Sequence, residues 1–402
     1  MTQSKTSADP ATSARRSVPF DCVALLLQGG GALGSFQGGV YEALAEADLH
    51  PDWVAGISIG AINGAIVAGN APVDRVARLR DFWEAITAPT LTFPGVGSNA
   101  AMSFDWLTGS PLAANSLGVW AGPIGAATAV LSGAPDFFRP RVPPPYLHTP
   151  GGPGAISFYD VSPLRGTLER LVDFDRLNDK ATRYSAGAVN VRSGNFVYFD
   201  SHMQTIEPKH VMASGALPPG FPPVEIDGDY YWDGGLVSNT PLDWVLDACG
   251  VRQDTLAFQV DLWSARGALP RDLVDVAVRQ KEIQFSSRTR ASTDKFKRMQ
   301  QFRASIAEAI DKVPTGALDE AEMAFLKSEI DPHVYNIVHL IYRAERQGRA
   351  YSDYEFSRAT MEAHWKAGYD HAVQSLRDPE ILRRPTNPEG VAIFDLGQRA
   401  AD

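Results

Sequence analysis

Residues Cys22–Gly34 read CVALLLQGGGALG, and residues Trp53–Ala68 read WVAGISIGAINGAIVA. In each stretch a short apolar run stops at a glycine-rich turn and reopens with helical spacing. The first run is Val23 to Leu27, and an unbroken apolar run of that length marks a strand buried on both faces. Beyond it, Phe36, Val40, Leu44 and Ala47 recur at helical intervals from Gly34 to Ala47. In the second stretch a strand at Trp53 to Ile57 leads into an apolar helix at Ala61 to Ala68. Strand, turn and helix, repeated, imply parallel pairing in a layered α/β architecture.

Outward from this core, Val161 to Val172 reads as a helix with Ser162 and Pro163 at its start. Tyr184 to Val191 and Asn195 to Phe199, separated by Arg192, Ser193 and Gly194, read as a hairpin. Thr255 to Leu262 is a further strand. After Pro270 glycine becomes scarce, and helical patterns are expected over Arg271 to Lys312, Asp319 to Gln347 and Asp353 to Ser375. The expected organisation is a flexible tail at residues 1–20, a catalytic unit at 21–265, a helical region at 266–380 and a tail at 381–402. Within the catalytic unit, Ala85 to Pro135 carries one charged residue, Asp105, and a Pro-rich patch follows at Arg139 to Gly154. Residues 85–155 are therefore a candidate lid, with a buried irregular segment over the sheet as the alternative.

The chain has 402 residues, 44% hydrophobic and 21% charged, with a formal net charge of −10. This composition suits a large globular core and disfavours nucleic acid as a partner. Contact with lipid would run through apolar surface rather than a basic face. The two cysteines, Cys22 and Cys249, stand in no metal-ligand spacing. The Ser-, Thr- and Ala-rich N-terminus lacks the apolar segment of a secretory signal. A cytoplasmic protein is expected, peripheral at most to a membrane or lipid granule.

Three segments can carry chemistry. Gly29-Gly30-Gly31-Ala32-Leu33-Gly34 sits at a strand-to-helix turn, where bare backbone N–H groups can face developing negative charge. Such a turn binds a phosphate or forms an oxyanion hole. Gly29, Gly31 and Gly34 also fit GxGxxG, but a dinucleotide site wants an acid at the end of the next strand. That strand ends in Gly56-Ile57-Ser58, and Asp52 lies at its wrong end. Gly56-Ile57-Ser58-Ile59-Gly60 is a GxSxG pentapeptide between strand and helix, the context of a nucleophile elbow. Asp233-Gly234-Gly235 follows the aromatic run Tyr230-Tyr231-Trp232, so its carboxylate is expected to be partly desolvated and poised as a base. A serine hydroxyl needs such a base. His339, His364 and His371 follow Asp233 and keep a Ser-Asp-His triad open, but each falls in a helical pattern, which favours a dyad.

GGGALG, GISIG and DGG, in this order, resemble the glycine-rich motif, nucleophile elbow and Asp-Gly-Gly motif of the patatin-like phospholipases. The resemblance covers roughly Cys22 to Leu262 and includes ASGALPPGFPP at Ala213 to Pro223. It implies a three-layer α/β/α sandwich with a mixed, largely parallel central sheet, and acyl-ester hydrolysis without metal or cofactor. Ser58 would be the nucleophile and Asp233 the base. The amides of Gly29, Gly30 and Gly31 would form the oxyanion hole, with Gly34, Gly56, Gly60, Gly234 and Gly235 in support. Asn239, Thr240 and Pro241 would be structural. Leu33 departs from many relatives that carry Lys or Arg there to hold an anionic head group, which weakens the case for a phospholipid substrate in particular. YEFSRATMEAHWKAGYDH at Tyr354 to His371 resembles the extra C-terminal region of a bacterial subgroup. The competing class is a non-catalytic lipid-binding or granule-binding protein that keeps the fold.

Overall fold

A computed structural model describes residues 16–87, 133–248, 250, 252–314, 316–343 and 355–395. The strands are β1 (Cys22–Leu27), β2 (Trp53–Ile57), β3 (Arg139–Pro140), β4 (Tyr159–Asp160), β5 (Arg183–Asn190), β6 (Phe196–Asp200), β7 (Val224–Ile226), β8 (Asp229–Asp233), β9 (Thr255–Asp261), β10 (Tyr335–Ile341) and β11 (Val391–Phe394). The helices are α1 (Ser35–Glu46), α2 (Ile59–Ala68), α3 (Arg75–Ile86), α4 (Ser162–Leu171), α5 (Phe174–Asn178), α6 (Pro208–Ser214), α7 (Leu273–Ile310), α8 (Glu320–Glu329) and α9 (Arg358–Ser375).

Nine strands form one mixed sheet in the order β11-β10-β9-β1-β2-β5-β8-β7, with β6 also on β5. The run from β11 to β5 is parallel, while β6, β7 and β8 pair antiparallel. β1 lies in the middle, and its alternate residues feed two cores. Val23, Leu25 and Leu27 pack with residues of α1 to α4 and α9, including Phe36, Ile62, Trp83, Leu168 and Trp365. Cys22, Ala24 and Leu26 face the opposite layer, built from Leu242, Val245, Leu246 and Phe296 of α7. Helices therefore cover both faces, as the unbroken apolar character of β1 requires.

The C-terminal region differs from the sequence expectation. The helical run expected over Asp319 to Gln347 is α8 followed by β10, and Val391–Phe394, expected in a tail, forms β11. VYNIVHLI at Val334–Ile341 is an apolar run that extends the parallel sheet on both partners, so period counting alone does not separate it from a buried helix. Residues after 266 thus complete the central sheet rather than forming a purely helical appendage. α9 in turn lies against α1 at backbone distance. A Cβ on Gly39 would fall 1.8 Å from the Trp365 carbonyl oxygen, and one on Gly368 would fall 2.0 Å from that of Phe36. Only glycine permits that approach. The stretch 88–132 of the candidate lid and residues 1–15 of the expected tail lie outside the described residues.

Candidate active site

The register of β5 explains how two distant motifs meet. β2 pairs with β5 up to Ile57 opposite Gly187, and β8 pairs with it from Asp233 opposite Ala188. β6 pairs with Ser185 to Val189 and so occupies the other edge throughout. β2 and β8 therefore share one edge of β5 and approach end to end. Ser58, the residue after β2, arrives where Asp233 ends β8.

Ser58 takes φ 56° and ψ −125° at the N-terminus of α2. A β-free turn of this kind is strained for any residue but glycine. Its neighbours show why the elbow needs GxSxG: a Cβ on Gly56 would meet Gly60 at 2.3 Å, and one on Gly60 would meet the Leu27 carbonyl oxygen at 2.2 Å. The strained backbone leaves Ser58 half-buried and open to a cavity. Its N–H donates to Ser214 Oγ at 3.0 Å, and Ser214 donates to Gly187 O at 2.6 Å.

Asp233 is buried and accepts the Gly235 amide at 2.7 Å. Burial pushes its pKa up to about 7, against the lowering effect of hydrogen bonds from the Ser58 side chain and the Gly235 amide. Desolvation wins because one neutral hydroxyl and one amide replace little of the hydration a carboxylate loses.

Above these residues the turn after β1 is held by its carbonyls. Gly29 O accepts Asn239 Nδ2 and Trp263 Nε1, each at 2.9 Å. Gln28 O accepts Gln37 Nε2 at 2.7 Å, and Gln28 Oε1 accepts the amides of Leu262 and Trp263. Among the described residues, no hydrogen bond occupies the amides of Gly30 or Gly31, where Gly31 has φ 57° and opens a short 3-10 turn to Gly34. Asn239 thus ties the Asp-Gly-Gly turn to the glycine turn.

Gly29, Gly30, Gly31, Ser58, Asp233 and Gly235 line one cavity of about 150 Å³. Its far wall is aromatic: Phe138 lies 4.9 Å from Tyr159 and 5.3 Å from Phe221, centroid to centroid, and Phe137 lies 6.2 Å from Phe356. Phe285 of α7 and Trp263 close another side. Gln28, Ser214, Trp263 and the aromatic wall were not legible as site residues. Ser214 lay inside the quoted ASGALPPGFPP, but nothing in that string marks its hydroxyl as the partner of the elbow amide. The remaining supports, Gly34 and Gly234, sit beside the site rather than in its lining: a Cβ on Gly34 would strike Ile59 and one on Gly234 would strike the Gly187 backbone.

No histidine lines this cavity among the described residues. His339 is on β10, with Nδ1 3.3 Å from Asp261 and Nε2 3.4 Å from Thr293. His364 is buried on α9, where burial holds its pKa down at about 4. His371 lies edge-on to Phe36, and burial lowers its pKa too. One grouping could offer three ligand atoms to a metal, Asp21, Asp254 and His333. Asp254 already accepts Arg384 and the Val334 amide, and it precedes β9 at the end of the sheet away from Ser58.

Residues 25–246 match the family model described as patatin-like phospholipase, and residues 283–388 match a second model described as patatin phospholipase. Lysophospholipase nte1 of Aspergillus terreus (strain NIH 2624 / FGSC A1156) is 38% identical over 91 residues, which are 21% of this chain and 6% of that protein. Among solved structures, VipD from Legionella pneumophila aligns with a TM-score of 0.38 and 15% identity, over 97% of this chain and 77% of that one. The type III effector protein ExoU aligns with a TM-score of 0.26 and 13% identity, over 86% and 53%. By the match over residues 25–246, more than half its length, this chain belongs to the patatin-like phospholipase family.

Proposed function

We propose that this protein is a serine hydrolase of lipid acyl esters, with Ser58 as nucleophile, Asp233 as its base and the glycine turn as oxyanion hole. The observation that carries the reading is the contact between the Ser58 hydroxyl and a buried carboxyl whose pKa is pushed to about 7. A carboxylate with that pKa accepts a proton readily near neutrality, whereas an ordinary one near 4 does so poorly.

In the mechanism, the Ser58 proton passes to Asp233 as Oγ attacks the ester carbonyl. The amides of Gly30 and Gly31, left open by the turn, receive the oxyanion, and each such donor contributes about 3 kcal/mol in the transition state. The proton then moves from Asp233 to the departing alkoxide. Water attacks the acyl-enzyme carbonyl, giving a proton to Asp233, which returns it to Ser58 Oγ as the acyl–oxygen bond breaks and the carboxylic acid leaves. The aromatic wall from Phe137 to Phe356 receives the acyl chain, whose burial supplies roughly 0.8 kcal/mol per CH₂. The wall suits an apolar chain, and no Lys or Arg lines the cavity among the described residues.

The substrate lies in a lipid aggregate, and the protein works at its surface without spanning it. No described helix is long and apolar enough to cross a membrane. Mass spectrometry of a phospholipid and neutral-lipid extract, incubated with the wild type or with Ser58→Ala, tests the reading. Free fatty acid released by the wild type alone supports it. Equal release by both, or by neither, overturns it.

A further inference from the structure

Between β3 and β4 the chain makes a loop of two short 3-10 turns, Pro145–Leu147 and Pro153–Ala155. The loop is tied down at its root. Arg141 N donates to Phe158 O at 3.0 Å, Phe158 N to Pro219 O at 3.0 Å and Tyr159 N to Gly220 O at 2.9 Å. Yet it turns large apolar side chains to water. Val142 is 92% exposed, Tyr146 77% and Leu147 71%, with Ile156 and Phe158 also exposed. Single exposed apolar residues are ordinary; five in one loop of 17 residues (142–158) mark a binding surface.

Two further observations say what it binds. The loop is continuous with the mouth of the cavity, because Phe138 and Tyr159 at its root, and Pro219 and Gly220 beneath it, all line that cavity. Its charge also departs from the rest of the molecule. The chain carries −10 overall, but residues 137–159 contain no Asp or Glu, and they hold Arg139, Arg141 and His148. Arg139 is paired with Asp160, while Arg141 donates to Ser157 Oγ and meets no carboxylate among the described residues. This is the face from which a phosphate-bearing surface is not repelled.

We infer that the loop from Val142 to Phe158 is the surface by which the protein docks on a phospholipid bilayer. The choice of occupant rests on the lipid-hydrolase reading. Val142, Tyr146, Leu147, Ile156 and Phe158 enter the headgroup boundary, Tyr146 with its hydroxyl toward water, as aromatic residues do at that depth. A lipid can then slide from the bilayer into the cavity along apolar surface without its chain crossing water. A short loop inserted this way binds reversibly, which suits an enzyme that must leave its product.

The test uses the full chain as Ser58→Ala, so that vesicles stay intact, and vesicles of equal parts phosphatidylcholine and phosphatidylglycerol. Flotation of this protein is compared with that of a form also carrying Val142→Ser, Tyr146→Ser and Leu147→Ser. The expected result is at least about a tenfold fall in the floating fraction, and weaker flotation on phosphatidylcholine alone. In the Ser58 background, the loop substitutions are expected to leave turnover of soluble nitrophenyl butyrate unchanged. Equal flotation of the two proteins overturns the inference, as does a parent that never floats. Sedimentation showing a dimer that the substitutions dissolve, without vesicle binding, assigns the loop to a second copy and overturns it too. Loop-dependent flotation with no nitrophenyl ester turnover by the wild type would sink the hydrolase reading and leave the docking surface standing.

Discussion

The backbone N–H of Ser58 is spent on Ser214, whose Oγ accepts it at 3.0 Å. The same hydroxyl donates to Gly187 O, next to the residue that pairs with Asp233. One side chain therefore links the strained elbow to the strand that registers Asp233. It also keeps the Ser58 amide from facing the cavity as a free donor, whereas the amides of Gly30 and Gly31 carry no hydrogen bond among the described residues.

Ser214→Ala is expected to lower kcat with little change in KM. It strands a buried N–H and a buried carbonyl, a cost of about 1–3 kcal/mol that falls on the elbow's geometry. The slowing should be on the order of tenfold or more, with the pH profile unmoved. Steady-state kinetics on a soluble ester, with circular dichroism to confirm the fold, check this. A change in KM alone would contradict it.

Activity should rise with pH through about 7, because Asp233 acts as a base only when ionised and its pKa is pushed to about 7. Below about pH 6, kcat/KM should fall close to tenfold per pH unit. A profile already flat at about pH 5 would mean that an ordinary, solvated carboxylate, or no carboxylate, governs the reaction.

The same group predicts a pH-dependent stability. Its folded pKa of about 7 lies above the value of 3.8 for the free side chain, so folding favours the protonated form. The stabilisation it gives is complete below about pH 4 and is lost as pH rises through about 7, a change of about 4 kcal/mol. Asp233→Asn cannot titrate, so its stability relative to the wild type should climb over that window. Urea unfolding at about pH 5 and pH 8 measures it. A difference that stays constant between the two pH values would mean that Asp233 is solvated.

Trp263→Phe keeps the ring against Phe285 but deletes the donor to Gly29 O. With that carbonyl held only by Asn239, the glycine turn should loosen and kcat fall about fivefold, for a loss near 1 kcal/mol. Phosphonate inhibition should weaken in parallel, since both depend on the oxyanion donors. Unchanged kinetics would place the turn's rigidity elsewhere.

The sequence showed the elements that rest on local rules. GISIG reads as an elbow because only glycine fits at Gly56 and Gly60, and β1 reads as buried because nothing polar interrupts it. What it hid depends on pairing. The end-to-end meeting of β2 and β8 is a matter of register on β5, which no local pattern encodes. β10 looked helical because a parallel strand buried on both faces has no alternation to display. Ser214, Trp263 and Gln28 act through hydrogen bonds to backbone more than 150 residues away. Chain order alone brought His339, His364 and His371 into consideration, and only their places on β10 and α9 show that none of them lines the cavity.

The central claim is that a carboxyl at residue 233 activates the hydroxyl at residue 58. Intact-mass spectrometry after treatment with a fluorophosphonate tests it most directly, on the wild type, Ser58→Ala and Asp233→Asn. The account predicts one adduct on the wild type, mapped to the peptide holding Ser58, none on Ser58→Ala, and labelling of Asp233→Asn slowed by on the order of a hundredfold or more. An adduct on another residue, or an Asp233→Asn protein labelled as fast as the wild type, would contradict it.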